Sequence, residues 1–439
     1  MFTALRHALM PAYQSRTDEG VYAMPESRIR YPDLAPQGEE SIYMAESRMP
    51  TLRRLRKRFS EEKPLSGMKI GACLHVTRET AVLARTLAAG GAEIALAGSN
   101  PLSTQDDVAS ALAEEGFHVF AWRGNDREYY DCLKDVLGES PDILIDDGAD
   151  LIVTAHNEKS SALARVIGAQ EETTTGVHRL RAMEKRGALR IPVIAVNDAR
   201  TKMMFDNYYG TGQGVVSAIA ALDILFAGKT IVVAGYGNCS RGMATRSRGL
   251  GANVIVTEVD PIRALQAVMD GFRVMPMSVA APLADVLFTA TGCIDVVGRE
   301  EFQKMKDGVI LANLGHFNVE VSVKDLESLA KNKRKMREYV DEYVLHDGRR
   351  LYLLAEGRLA NLVVLGGHPA EIMDLSFSVQ ALASEYLARN KGSLEVKVHD
   401  IAPEVDSSVA RVKLETLGVD IDKLSEKQKI YVEGFEMGT

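Results

Sequence analysis

The chain of 439 residues is 46% hydrophobic and 26% charged, a globular composition with length for roughly two or three domains. Its formal net charge of −8 argues against nucleic acid as a partner, because phosphate backbones are bound through clustered Lys and Arg, and its longest apolar runs are too short for a membrane span. The four cysteines form no C-x-x-C pair and Met1–Leu9 lacks the apolar core of a secretory signal, so we expect a reducing, cytoplasmic location and no metal site.

The first half of the chain predicts a parallel α/β sheet. Residues 1–28 lack periodicity and are interpreted as an N-terminal extension that belongs to no core. Beyond them, short β-rich runs alternate with helical stretches, which predicts a doubly wound domain over residues 29–208, completed by residues 365–390. Its predicted strands are Lys69–Leu74, Ala92–Ala97, His118–Ala121, Asp142–Ile145 and Ile191–Val196.

A second alternating series predicts a Rossmann domain over residues 209–364, with strands at Ile231–Ala234, Val254–Thr257, Asp285–Ala290 and Val309–Asn313. The last stretch, residues 391–439, is charged and largely helical, at Asp406–Leu417 and Ser425–Tyr431, and has too few apolar residues to fold alone. We therefore expect an α/β fold of two doubly wound parallel-sheet domains plus a small helical C-terminal segment. That segment is expected to pack on another subunit of a homo-oligomer.

A glycine-rich turn marks the second series. The strand ending at Ala234 leads into Gly235-Tyr236-Gly237-Asn238-Cys239-Ser240-Arg241-Gly242, followed by a helix and by a strand ending at Glu258. This order is typical of a dinucleotide site, in which Gly235 allows the tight turn, Gly237 lets the backbone approach the pyrophosphate and the helix N-terminus donates amides. An acid at Glu258 binds ribose hydroxyls and repels a 2′-phosphate, which favours NAD over NADP. Ser240 replaces the usual third glycine, and a glycine turn without a ligand is the competing interpretation.

Several longer motifs together resemble the S-adenosylhomocysteine hydrolase family, in the compact form found in archaea and thermophilic bacteria. The resemblance covers roughly residues 31–431. Its motifs are Ser103-Thr104-Gln105-Asp106, Asp146-Asp147-Gly148, Glu171-Glu172-Thr173-Thr174-Thr175-Gly176-Val177-His178, Val196-Asn197-Asp198, Thr201-Lys202-Met203-Met204-Phe205-Asp206-Asn207, Asn313-Leu314-Gly315-His316-Phe317, Leu354-Ala355-Glu356-Gly357-Arg358 and Gly367-His368-Pro369.

The resemblance implies a reaction in which a tightly held NAD oxidises the ribose 3′-hydroxyl of S-adenosylhomocysteine. The ketone acidifies the C4′ proton, homocysteine leaves by elimination, water adds, and the ketone is reduced again. The products are adenosine and L-homocysteine. Members of the family assemble as homo-oligomers, so a dimer or tetramer is expected.

The resemblance also implies the site residues. Lys202 and Asp206 would meet the ribose hydroxyls, with Lys202 as the oxidation base, which requires a lowered pKa. His75, Asp147 and Glu172 would complete the acid–base group, and His316 would act as a gate. The substrate set adds Thr77, Glu79 and His368, with Glu79 accepting the amino hydrogen of adenine. The cofactor set is Thr173, Thr174, Thr175, Asn207, Gly235, Gly237, Asn238, Cys239, Ser240, Arg241, Gly242, Glu258, Arg263, Leu314, Gly315, His316, Asn361 and His368.

The chain departs from the family pattern at several positions. Thr211 replaces a frequent cysteine, Arg263 replaces a frequent asparagine, and the terminal Lys and Tyr that reach a neighbouring subunit's NAD are missing after Tyr431. Asp147 could instead cap a loop and Glu79 could be a surface charge. The competing functions are a non-catalytic relative, a 2-hydroxyacid dehydrogenase and an S-inosylhomocysteine hydrolase.

Overall fold

Two α/β lobes, each built on one sheet, form the molecule. The structure is a computed structural model that describes residues 22–24, 27–157 and 162–435. Within these residues the strands are β1 (Tyr22–Met24), β2 (Ser27–Ile29), β3 (Lys69–Cys73), β4 (Glu93–Ala97), β5 (His118–Phe120), β6 (Ile143–Asp146), β7 (Gly168–Glu171), β8 (Val193–Ala195), β9 (Thr230–Ala234), β10 (Asn253–Thr257), β11 (Arg273–Val274), β12 (Val286–Thr289), β13 (Val309–Asn313), β14 (Ala330–Arg337), β15 (Val340–Leu345), β16 (Arg350–Leu354) and β17 (Val398–Asp400).

Helices cover both sheets. Among the described residues they are α1 (Ala35–Ser47), α2 (Pro50–Glu62), α3 (Arg78–Ala89), α4 (Asp106–Glu114), α5 (Asp126–Gly138), α6 (Asp150–Asn157), α7 (Ala162–Arg165), α8 (Thr174–Lys185), α9 (Arg200–Lys202), α10 (Thr211–Gln213), α11 (Val216–Leu222), α12 (Asn238–Gly249), α13 (Pro261–Met269), α14 (Met277–Ala280), α15 (Arg299–Lys304), α16 (Val323–Leu329), α17 (Ala360–Leu365), α18 (Ala370–Arg389), α19 (Pro403–Thr416) and α20 (Glu426–Glu433). Short 3₁₀ turns lie at Pro32–Leu34, Val196–Asp198, Ala281–Leu283 and Ala355–Gly357, and Met203–Gly210 is π-helical. No helix of the described residues is long and apolar enough to cross a membrane.

The first lobe is the sheet of order β1-β2-β5-β4-β3-β6-β7-β8-β17 with its helices. Its inner strands are parallel and buried on both faces, so most of them are nearly continuous apolar runs, and all five predicted strands are confirmed within one or two residues as β3, β4, β5, β6 and β8. The inner strand β7 was not predicted, because Gln170 and Glu171 interrupt its apolar pattern. Helix α5 begins at a capping box between Asn125 and Glu128.

The N-terminal extension differs in part from the prediction. Strands β1 and β2 pair antiparallel, and β2 joins the sheet beside β5 through Arg28 and Phe120. Residues 22–24 and 27–28 therefore belong to the sheet, because backbone pairing does not require the apolar periodicity on which the prediction depended. The rest of the predicted extension, residues 1–21 with 25 and 26, lies outside the described residues.

The second lobe is the sheet of order β11-β10-β9-β12-β13-β16-β15-β14 with its helices. Its four predicted strands are confirmed as β9, β10, β12 and β13, all parallel. Strands β14 and β15 add an antiparallel edge that the sequence did not predict. Two parallel-dominated α/β sheets therefore confirm the predicted fold class.

The chain crosses between the lobes twice. It leaves the first lobe through α9 and the π-helical segment Met203–Gly210, and it returns at Gly366 and Gly367, whose positive φ angles of 79° and 119° suit glycine. Gln105 Nε2 of the first lobe donates to the Gly366 carbonyl at 2.8 Å. Helix α18 then packs into the first lobe against α2, α3 and β7, so this lobe contains chain from both sides of the second.

The C-terminal segment has two parts. Strand β17 pairs with β8, and the Asp406 carboxylate of α19 accepts the backbone N–H groups of Arg200 and Thr201 at 2.7 and 2.9 Å. This part packs on its own lobe, where β17 completes a sheet edge. Contact of the segment with another subunit stays a prediction from the sequence. Both predicted helices are present as α19 and α20, and α20 buries no side chain within the described residues.

Candidate active site

A cavity of about 1090 Å³ lies between the two lobes. Its walls are residues that directly follow strands, among them His75 after β3, Asp147 after β6 and Gly235 after β9. Open α/β sheets bind ligands at these carboxyl ends. The sequence-predicted site residues that line it are His75, Thr77, Glu79, Asp147, Glu172, Thr173, Thr174, Thr175, Lys202, Asp206, Asn207, Gly235, Gly237, Asn238, Cys239, Glu258, Arg263, Leu314, Gly315, His316, Asn361 and His368.

The glycine-rich turn has the geometry of a dinucleotide site. Gly235 has a φ of 88°, and a Cβ built on Gly237 would meet only Arg263 Nη1, at 3.8 Å, so the backbone surface here is open. Gly237 precedes α12 without a capping side chain, which leaves the first amides of this helix to a ligand. Glu258 accepts the backbone N–H groups of Tyr236 and Val259 at 2.6 and 2.7 Å, which fixes its carboxylate at the end of β10.

Three predicted cofactor residues, Ser240, Arg241 and Gly242, do not line the cavity. The Ser240 hydroxyl donates to the carbonyls of Ala234 and Ala290, at 3.1 and 3.0 Å, and thus ties the helix to two strand ends. Arg241 Nε lies 3.3 Å from a carboxylate oxygen of Asp270. A Cβ on Gly242 would lie 2.0 Å from a backbone oxygen of the π-helical segment, so this glycine serves helix packing.

A buried acid–base cluster lies on the first-lobe side of the cavity. Lys202 Nζ lies 3.2 Å from Asp206 Oδ2 and 3.7 Å from Glu172 Oε1. It donates to Asn207 Oδ1 at 2.8 Å and to Asn197 Oδ1 at 3.3 Å. Lys202 and Asp206 lie at the two ends of the turn where α9 becomes π-helical, a local distortion that is frequent at functional sites.

The electrostatics of this cluster differ from the sequence expectation. Burial lowers the pKa of Lys202, but the negative charges of Asp206 and Glu172 outweigh it and raise that pKa above the ordinary value. A lowered pKa was expected, and the surrounding carboxylates are the physical reason for the difference. Burial raises the pKa of Glu172 to about 8. Although burial opposes ionisation of Asp206, the adjacent Lys202 holds the pKa of that carboxyl well below its usual range.

A second group lies beside the first, at the end of the neighbouring strand β6. Asp147 lies between two histidines, with Oδ2 3.4 Å from His75 Nε2 and Oδ1 3.6 Å from His316 Nδ1. Burial lowers the pKa of His75 to about 4, so this ring is neutral at pH 7, and its Nδ1 lies 2.7 Å from Ser103 Oγ. The three side chains could geometrically share a metal ion, since their donor atoms lie within 4.8 Å of one another. A site without metal stays a prediction from the sequence.

His368 lies at the second crossing and contacts Asp206. Its Nδ1 is hydrogen-bonded to Asp206 Oδ1, and its Nε2 lies 2.9 Å from Asn361 Nδ2. An Nδ1–H tautomer satisfies both contacts, with the Asn361 amide as donor to Nε2. His368 therefore orients the carboxylate of the catalytic cluster as well as lining the cavity.

The remaining predicted residues lie around the cavity rim. Thr77 caps α3 by accepting Thr80 N–H, and Glu79 is only 1% exposed, which rules out a surface charge. Arg78 Nε donates to Glu79 Oε1 at 2.8 Å. At the start of α8, the Thr174 hydroxyl donates to Asn197 Oδ1 at 3.2 Å. Thr173 is the N-cap residue of this helix, and its side chain makes no capping hydrogen bond.

Sequence reasoning missed three supporting residues. Asn197 accepts from Lys202, Ser376 Oγ donates to Asp206 Oδ2 at 3.2 Å, and Gln380 Nε2 donates to Glu172 Oε2 at 2.5 Å. The signal was a polar line at helical spacing, Ser376, Gln380 and Ser384, within the otherwise apolar face of α18.

Buried polar atoms test whether the cavity fits a dinucleotide. Asn361 lines the cavity, and within the described residues its Oδ1 is a buried acceptor without a hydrogen-bond partner. An amide donor, such as the carboxamide of a nicotinamide ring, would satisfy it. With the open Gly237 backbone and the fixed Glu258 carboxylate, the residues present fit NAD.

Comparison with known proteins gives the same assignment. Residues 207–367 match the family model "S-adenosyl-L-homocysteine hydrolase, NAD binding domain", and residues 26–166 match "S-adenosyl-L-homocysteine hydrolase". NAD is therefore the cofactor.

Close relatives extend over nearly the whole chain. "Adenosylhomocysteinase" from Aquifex aeolicus is 58% identical over 409 residues, covering 92% of this chain and 98% of the relative. The same name belongs to a protein from Aeropyrum pernix, 58% identical over 408 residues with the same two coverages. An "S-inosyl-L-homocysteine hydrolase" from Methanopyrus kandleri is 53% identical over 424 residues, covering 96% of this chain and 99% of the relative. With two family models matched and this identity sustained over nearly its full length, the chain belongs to the S-adenosyl-L-homocysteine hydrolase family.

Proposed function

We propose that the protein catalyses the reversible hydrolysis of S-adenosyl-L-homocysteine to adenosine and L-homocysteine. The observation that carries the proposal is one cavity lined by the open Gly237 backbone, the Lys202 cluster and the group around Asp147. We infer that the first lobe, completed by residues 365–390, binds the substrate, and that residues 209–364 bind the cofactor.

Bound NAD supplies an oxidant for the ribose 3′-hydroxyl and returns the same hydride at the end of the cycle. The protein must therefore take a proton from the 3′-oxygen and move a second proton at C4′. Asp206 and Lys202 support binding of the ribose hydroxyls, since one is an acceptor and the other a donor.

The proton from the 3′-oxygen requires an acceptor. Lys202 holds its proton in this arrangement, so it must first transfer one to the ionised form of Glu172, whose oxygen lies 3.7 Å away and whose carboxylate binds a proton more firmly than usual because burial raises its pKa to about 8. In this scheme Glu172 holds the proton that Lys202 gives up, and Lys202 is the group that contacts the 3′-oxygen of the substrate. Gln380 and Asn197 are positioning residues for the pair.

The second proton concerns the neighbouring group around Asp147. Asp147, held between His75 and His316, is the proposed acid–base group near C4′ and C5′. The neutral ring of His75 can donate or accept a proton as the leaving thiolate departs and water enters.

Adenine is the proposed base, although one close relative carries the name of an S-inosyl enzyme. Glu79 is buried at the cavity, and Arg78 fixes one of its oxygens. A carboxylate accepts the amino hydrogen of adenine, whereas the carbonyl oxygen of hypoxanthine would face it as a second acceptor, at a cost of about 1–3 kcal/mol. Higher kcat/KM with S-inosylhomocysteine than with S-adenosylhomocysteine would overturn this assignment.

A non-catalytic role and a dehydrogenase activity both lack support. A non-catalytic relative would have lost acid–base residues, and each predicted one is present at the cavity. A 2-hydroxyacid dehydrogenase would release reduced cofactor in proportion to product. The direct test is to incubate the purified protein with S-adenosylhomocysteine and to measure free thiol and net absorbance at 340 nm. We expect release of thiol without accumulation of reduced cofactor. If a preparation that contains NAD releases no thiol, the proposal is refuted.

Self-association is a further part of the proposal. Beyond α19 the chain presents exposed apolar side chains, including Leu417 and Ile421, both more than 60% exposed, and α20 buries none of its own. Apolar surface of this kind favours contact with a second copy, which supports a homo-oligomer. A tetramer and a cytoplasmic location stay predictions from the sequence.

A further inference from the structure

The turn that follows β13 brings two aromatic rings toward the first lobe. His316 and Phe317 lie on this turn, with ring centroids 4.7 Å apart and planes at 80°, an edge-to-face contact. His316 Nδ1 is the atom that lies 3.6 Å from Asp147 Oδ1. The position of Phe317 therefore sets the position of a ring that contacts the acid–base group.

Arg179 of α8, in the first lobe, lies under this turn. Its Nη1 donates to the Gly148 carbonyl and, at 2.7 Å, to Asp150 Oδ1. Asp150 is itself fixed, because the Tyr129 hydroxyl donates to its other oxygen at 3.0 Å. The guanidinium is thus anchored on one side and presents its carbon 5.4 Å from the centroid of the Phe317 ring on the other. This distance is within the range of a cation–π contact.

The neighbouring backbone is shaped for the same close approach. Gly148 has a φ of 112°, and a Cβ built there would lie 2.2 Å from His316 Nε2. The loop that carries Asp147 therefore fits against the turn only with glycine at this position. The two lobes, which are joined covalently at the two crossings, meet here through non-covalent contacts.

We propose that Arg179 is a positioning residue: its contact with Phe317 is a clasp that holds the His316–Phe317 turn over the site during the reaction. The clasp rests on the proposed function. While the ribose is a ketone, the hydride stays on the cofactor, and a sugar that escapes then leaves no ketone to take the hydride back. A closed turn prevents that loss, so the clasp determines how many turnovers the enzyme completes before it is stranded with reduced cofactor.

The test compares Arg179→Met and Phe317→Leu, singly and together, with Arg186→Met as the control. Arg186 caps the C-terminal end of the same helix and is exposed, so its replacement removes an equal charge away from the turn. The readouts are the number of turnovers before activity stops and the 340 nm absorbance that remains after the substrate is consumed. In each single variant, the fraction of enzyme left inactive with reduced cofactor per turnover should rise roughly two- to thirtyfold, the range of a cation–π contact. In the double variant this fraction should rise no more than in the more affected single variant.

A second readout needs no turnover. Exchange of bound NAD for radiolabelled NAD in the holoenzyme should accelerate in both single variants and stay at the wild-type rate in Arg186→Met. The clasp is refuted if a folded Phe317→Leu protein shows the wild-type fraction of enzyme left with reduced cofactor and the wild-type rate of NAD exchange. It is also refuted if the effects of the two substitutions multiply in the double variant. If the Arg179→Met protein does not fold, the Phe317→Leu protein alone tests the contact between the two side chains. If the wild-type protein releases no thiol from S-adenosylhomocysteine, the proposed function is refuted and not the clasp. The rate of NAD exchange then remains as the test of the clasp.

Discussion

Replacing Gln380 by Met would test the proton store directly. Its Nε2 donates to Glu172 Oε2 at 2.5 Å in a buried setting, and this bond favours the ionised carboxylate. A hydrogen bond to a charged group contributes about 1.5–3 kcal/mol, which equals roughly one to two pH units of pKa. Because the bond stabilises the charged form, its loss raises the pKa of Glu172 above about 8.

The expected result is a displaced pH profile. If ionised Glu172 must receive the Lys202 proton, the acidic limb of log kcat/KM shifts upward by about one to two units, and the rate at pH 7 falls roughly ten- to hundredfold. The rate recovers at higher pH. Ser378→Ala, on the same helix with its hydroxyl bonded to the Asp374 carbonyl, is the matched control. A loss of equal size at every pH, or an unmoved acidic limb, would contradict the assignment of Glu172.

Four further outcomes are expected. Lys202→Ala should lower turnover by about 10²–10⁴-fold with an unchanged circular dichroism spectrum; a normal rate of initial cofactor reduction would show that it is not the oxidation base. Glu258→Gln should weaken NAD binding, measured by calorimetry, roughly tenfold or more and should reduce the preference for NAD over NADP. An unchanged preference would count against a contact between Glu258 and the ribose hydroxyls. Gly242→Ala should destabilise the fold by about 1–3 kcal/mol, since the new Cβ would lie 2.0 Å from the Tyr208 carbonyl oxygen, and an unchanged Tm would refute that steric argument. Truncation after Leu424 should lower the assembled mass seen by light scattering, and a fully assembled truncated protein would exclude α20 from the interface.

The sequence predicted nine of the parallel strands because these are buried runs with clear boundaries. It missed the parallel strands β7 and β16, whose apolar residues are interrupted by polar ones. It did not predict β14, in which seven of eight residues are exposed and five are charged, since this strand exists through its pairing with β15 rather than through an apolar pattern of its own. Strands β1 and β17 escaped prediction for the same reason. They are short edge strands that depend on a neighbour already in place.

For the site, the motifs predicted which residues gather but not their electrostatics. The raised pKa of Lys202 depends on distances to two carboxylates that lie 30 and 4 positions away in the chain. Gln380 and Ser376 come from a helix after the second lobe, so only the folded arrangement shows them beside Glu172 and Asp206. The motif also included Ser240 and Gly242 as cofactor residues, whereas their side-chain positions serve packing.

The discontinuous first lobe has a consequence for biosynthesis. Its core includes α18 and its last strand is β17, yet these segments follow the entire second lobe in the chain. At 5–20 residues per second, the ribosome needs about 10–30 s to add the intervening segment. During that interval the apolar surface that α18 will cover is exposed on the nascent chain, while the second lobe can already fold. Nascent chains paused before residue 370 should therefore be the species that chaperones retain.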